Sequence, residues 1–163
     1  MKIKKSAILL LVLLVVSVAA SSASGLLHFA STGFSIAPLE APAGDASYQA
    51  LMMLLPAKGG FAGNVNVMIQ PYEGTIDEYA SLSLKQFKDA EMKVVQQAKA
   101  GKSGYFFEYT GVLQGRALHW YSRAEKSGNH VYLATATATE RDWPKQSAQL
   151  KACVDSFRCD NGS

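Results

Sequence analysis

The sequence has no cysteine before position 153 and only two in all, Cys153 and Cys159. With no cysteine behind the N-terminal apolar run, a lipobox anchor is excluded. The three histidines, His28, His119 and His130, share no ligand spacing with these cysteines, so a four-ligand zinc site is not expected. No Gly-x-Ser-x-Gly elbow occurs, which leaves a serine triad drawn from Asp142, His119 and a serine without its strained nucleophile turn. Gly101-Lys102-Ser103 resembles the end of a phosphate loop, but the glycine needed five positions earlier is replaced by Gln96. It reads as a turn. No cofactor is expected from these motifs, and no metal.

An excess of charge is also missing once the N-terminus is set aside. All 13 acidic residues lie after position 24, and three of the 16 basic ones, Lys2, Lys4 and Lys5, lie before it. The remaining chain is formally neutral and offers nothing suited to nucleic acid or to an anionic membrane surface. The lysines and the apolar run Ala7–Ala20, followed by small residues, have the pattern of a secretory signal peptide over 1–23, cleaved after Ala20 or Ala23. The run is short for a spanning helix, which needs about 20 residues. An uncleaved N-terminal membrane anchor is the competing reading. Export implies the periplasm or secretion, where a disulfide is chemically open.

What is present is mostly strand. Residues 24–33 read as a linker, and a single domain is expected over 34–158, with a tail at 159–163. Phe34-Ser35-Ile36 alternates and stops before Pro38. Tyr48–Leu55 is apolar on both parities, as in a strand covered on both faces. Asn64–Gln70 sends Val65, Val67 and Ile69 to one side. Thr75-Ile76-Asp77-Glu78 is a capping box. The helix behind it carries Ile76, Tyr79, Ala80, Ser83 and Phe87 on one face, widened by Leu82 and Leu84, and ends at Asp89 or Ala90. Met92–Ala98 is a further strand. From Gly104 to Ala138, three aromatic and β-branched runs are separated by Gln114-Gly115 and by Lys126-Ser127-Gly128-Asn129, which spells an antiparallel meander. Asp142 and Pro144 open a last helix, with Ser147, Leu150, Val154 and Phe157 on its face. The order β-β-β-α-β-β-β-β-α predicts an α+β fold: an antiparallel sheet of about six to seven strands sandwiched between helices.

The layout resembles the Mog1/PsbP/DcrB-like superfamily, nearest to its bacterial exported DcrB-like branch. The likeness rests on a signal peptide, Gly33-Phe34-Ser35-Ile36 with Pro38, Asn64-Val65-Asn66-Val67, the helix Thr75–Phe87, glycine-rich hairpins, and Thr135-Ala136-Thr137-Ala138 before a terminal amphipathic helix. The resemblance implies an α/β/α sandwich and a non-enzymatic accessory or interaction role, and carries no active-site signature.

Three sets of residues are candidates for function. Glu108, His119 and His130 lie on neighbouring strands and suggest a His/Glu site for metal binding or proton transfer, though partly exposed structural histidines are the plainer reading. His119, Tyr121 and Arg123 share one strand face and would form a partner surface wherever a helix leaves them uncovered. Cys153 and Cys159 are expected to form an intrachain disulfide. In an ideal helix they stand about 240° apart, so the helix must end near Phe157 for them to meet. The terminal sequon Asn161-Gly162-Ser163 is read as coincidence. The leading reading is a non-enzymatic exported domain that binds an envelope protein. The alternative is a small-ligand-binding protein or hydrolytic enzyme with a pocket near His119 and His130.

Overall fold

The computed structural model describes residues 25–39 and 44–159. The expected signal peptide, the terminal sequon and the tail beyond Cys159 lie outside the described residues. The chain forms two compact units, residues 1–40 and 41–163.

Within the first unit, β1 (Leu27–Phe29) and β2 (Phe34–Ile36) pair antiparallel as a hairpin. Three residues of β1 had read as linker, because a strand that short has no period to detect. Leu27 stands opposite Ile36 and Phe29 opposite Phe34, with their rings stacked at 4.7 Å. The other side of the hairpin carries His28, whose Nδ1 lies 2.8 Å from Ser35 Oγ.

The second unit is a six-stranded antiparallel sheet of order β3-β4-β8-β7-β6-β5, with α1 (Ile76–Asp89) between β4 and β5 in sequence and α2 (Trp143–Asp155) at the end. The strands are β3 (Tyr48–Leu54), β4 (Asn64–Pro71), β5 (Lys93–Ala100), β6 (Gly104–Leu113), β7 (Arg116–Ser127) and β8 (His130–Thr139). The turn Gln114-Gly115 has positive φ at both residues, 52° and 74°, the twist that suits a two-residue hairpin. The aromatic meander is therefore β6-β7-β8, extended by β5 on one side and by β4 and β3 on the other.

The pleat sorts the strands into two faces. Phe107, Tyr109, Leu118, Trp120, Ala124 and Val131 lie under Ile76, Tyr79 and Ala80 of α1. On the other face Val65, Ala134, Ala136 and Ala138 lie under Trp143, Leu150 and Val154 of α2. The helices thus cover opposite faces, and the small alanines let α2 sit close to β8. The capping box forms as spelled: Thr75 N–H donates to Glu78 Oε2 at 2.7 Å, and Glu78 N–H to Thr75 Oγ1 at 3.2 Å.

Three expectations change. β3 is one of the two edge strands of the sheet, and Gln49, Ala50, Met52 and Leu54 are exposed. A strand apolar on both parities had read as doubly covered, and here it is not. Leu82 falls on the outer side of α1 and is also exposed. Asp142 occupies the N-cap position of α2 but caps nothing with its side chain. Its carboxylate accepts from Thr139 Oγ1 at 2.7 Å instead, and that bond holds the carboxyl below its usual range.

Candidate functional site

Register decides which polar side chains meet beneath α2. On β6 and β7, Glu108 stands opposite Tyr121 and Thr110 opposite His119. Glu108 and His119 are therefore diagonal neighbours on the α2 face, close enough for side chains to touch. His119 Nε2 lies 2.9 Å from Glu108 Oε1, and Nδ1 lies 3.0 Å from Oε2 of Glu140, the residue after β8. Each ring nitrogen faces a carboxylate oxygen. Both bonds coexist only when the ring carries both N–H protons or a carboxyl retains one.

From α2, Trp143 stacks flat on the imidazole with centroids 4.0 Å apart and planes at 11°. Two turns on, Lys151 donates to Glu108 Oε2 at 2.7 Å, with its ammonium 5.1 Å from the Tyr121 ring and 5.7 Å from that of Trp143. Tyr121 O–H donates to Asp155 at 2.8 Å. Burial works against ionisation of Glu108, but the bonds from Lys151 and His119, reinforced by their charges, outweigh it and hold its carboxyl below the ordinary range. Burial, with the bond and charge of Asp155, pushes the Tyr121 phenol up to about 12.

His119 is 7% exposed, against the expectation of a partly exposed sheet histidine. The ring is covered because Trp143, which sequence periodicity did not single out, enters at the first turn of α2. Glu108 and His119 do meet, but Glu140 rather than His130 completes the group. His130 pairs with Ser127 and His119 with Ala138, so eight residues of β8 separate them, roughly 26 Å. His130 instead borders a depression of about 300 Å³ with Asp45, Pro71, Tyr72, Glu73 and Asn129, and its Nε2 lies 3.2 Å from Gly44 O. Among the described residues, no group of three His, Cys, Asp or Glu side chains is arranged to hold a metal ion.

The row His119, Tyr121, Arg123 is divided by the helix. His119 is buried beneath α2, and Tyr121 and Arg123 are half-buried. Arg123 donates to Glu125 Oε1 at 2.6 and 2.8 Å. α2 packs on β8, β7 and β4. Beyond it, on the same face, lie Phe106, whose ring centroid is 6.0 Å from that of Tyr121, and the exposed Val112. Cys153, on α2 itself, is half-buried against the core beneath the helix, and burial raises its thiol pKa.

A model of the PsbP family matches residues 62–159, more than half of the sequence. The chain belongs to the PsbP family. That placement agrees with the Mog1/PsbP/DcrB-like layout read from the sequence. The matched span of this PsbP-family chain runs from the loop before β4 to just past α2 and so contains both helices and five of the six strands of the large sheet. PA94, a Pseudomonas aeruginosa protein of unknown function, has a crystal structure similar to this one with a TM-score of 0.53 at 16% identity, over 85% of this chain and 98% of its own. At that identity the likeness concerns the fold. The solution structure of cyanobacterial PsbP (CyanoP) from Synechocystis aligns with a TM-score of 0.47 at 13% identity, over 67% of this chain and 82% of its own. LpqN, involved in cell envelope biogenesis of Mycobacterium tuberculosis, aligns with a TM-score of 0.40 at 12% identity, over 72% and 84%. No curated protein matches the sequence.

Proposed function

We propose that this PsbP-family chain is an exported, non-enzymatic accessory domain that binds a protein of the cell envelope. The observation that carries this reading is the division of the α2 face. Glu108 and His119, buried beneath the helix, are bound by Glu140 and by Lys151 of α2, so the groups best suited to move a proton bind one another. Past the helix edge lie Phe106 and Arg123, and with Tyr121, half-buried where α2 ends, they form a mixed aromatic and basic row of the kind that anchors protein partners. The N-terminal lysines, apolar run and small-residue exit support export.

The test is site-specific photocrosslinking in the native envelope, with the photoreactive residue at position 106 or, as a control, at Lys85 on the outer side of α1. A discrete adduct from position 106 and none from position 85 is the expected result. Mass spectrometry of the exported protein should then find its N-terminus near Ser21 or Ser24. Adducts at both positions or at neither would sink the partner surface, and an intact Met1 or Lys2 would sink cleavage.

A further inference from the structure

The hairpin β1–β2 has two unlike sides. Its register puts Leu27, Phe29, Phe34 and Ile36 on one side and the His28–Ser35 pair on the other. The apolar side is open to solvent: Leu27 is 39% exposed, Phe34 49% and Ile36 57%, with Leu26 and Leu39 exposed at the two ends. A lone two-stranded hairpin is marginal in water, and one that exposes five large aliphatic and aromatic side chains needs a cover.

Three observations select the cover. From Leu26 to Leu39 the sequence contains no Asp, Glu, Lys or Arg, so burying this side in hydrocarbon desolvates no ion. The open side chains offer on the order of a few hundred Å², short of the roughly 800 Å² per partner of a stable protein interface, which argues against a second copy. In the sequence, the apolar run ends at Ala20 and β1 begins at Leu27, a tether of at most about 25 Å. Until cleavage the run holds the hairpin within reach of the membrane it enters, and afterwards the hairpin's own apolar side is what keeps it there.

We infer that β1–β2 lies on the surface of a lipid bilayer, its Leu27–Phe29–Phe34–Ile36 side among the upper acyl chains and the His28–Ser35 side toward water. The contact needs no anionic headgroup, because the hairpin brings no cation. It is a peripheral contact, separate from the protein-binding row beyond α2.

Bromolipid quenching tests it on the full chain. The native tryptophans, Trp120 under α1 and Trp143 on the inner side of α2, are buried and give a constant background. A third tryptophan is placed by Phe34→Trp on the apolar side or by Ser35→Trp on the polar side, and the protein is added to phosphatidylcholine vesicles brominated in the acyl chains. The new tryptophan at 34 should be quenched at least twofold more strongly than at 35, and 0.5 M salt should not change the ratio. Should Phe34→Trp disturb the stack on Phe29, Ile36→Trp reports the same side. Equal quenching on the two sides would overturn the proposal. So would a tryptophan at 34 that is shielded without vesicles in a concentration-dependent way, since that places a second copy on this side.

Discussion

On the α1 face, Phe87 lies 4.1 Å from the Tyr109 ring and 5.5 Å from that of Phe107, and Tyr109 stacks on Trp120 at 5.3 Å. On the α2 face, three alanines of β8 leave room for a helix that is fastened at intervals: Trp143 on His119, Lys151 to Glu108, Tyr121 to Asp155. One face is closed by area and shape, the other by a close-fitting floor and directional charged bonds. Dispersion and hydrophobic burial are indifferent to pH, whereas a carboxylate held below its normal pKa is not. The two helices should therefore respond differently to the same perturbation.

The largest effect should come from the α1 face. Phe107 is 1% exposed, at the centre of the aromatic stack. Phe107→Ala should cost about 3–5 kcal/mol, read by urea unfolding, with little dependence on pH. A loss under about 1 kcal/mol would mean that α1 is not held by this stack.

Glu108→Gln should cost less at neutral pH, about 2 kcal/mol, and should change the shape of the pH profile. Glu108 has a folded pKa below its unfolded value, so its contribution is fully present above the unfolded value, about 4.3. It is lost as pH falls through the lower folded value. Acid should therefore weaken the wild-type protein more than Glu108→Gln, and the two stability curves should converge at low pH. Parallel curves from pH 7 to pH 3 would show that the α2 face does not depend on this charge.

A third difference concerns the end of α2. The helix stops at Asp155, earlier than the Phe157 that a Cys153–Cys159 bridge was expected to need. Oxidation of the protein to that bridge should add at most about 2–3 kcal/mol, because the loop is short. Thiol counting on non-reduced, denatured protein decides it: two free thiols per chain would exclude the bridge.

Patterns within one element were legible in the sequence. The period-2 runs of the meander, the 3.6-residue face of α1 and its cap all depend on neighbours a few positions apart. The candidate site was legible only in its parts. Glu108 and His119 were singled out by residue type, but their meeting depends on the β6–β7 register, and the Trp143 stack depends on where α2 enters. Nothing local to Trp143 points to a residue 24 positions earlier. The edge position of β3 was hidden for a related reason: apolar composition says what a strand tolerates, while exposure depends on which strand comes last in the sheet.

That strand order also sets a sequence of events in time. β4 has two ladder partners: β3, just before it, and β8, whose His130 faces Pro71. As the chain emerges from a ribosome or a translocation channel, β3 and β4 therefore exist only as a hairpin, which is marginal in water. They wait while α1 and β5, β6 and β7 pass. Only when Thr139 is clear can β8 pair with both β7 and β4 and join the early strands to the late ones. A chain halted before β8 holds Val65 and Val67 with no sheet to enter, so β8 is the step that commits the whole domain.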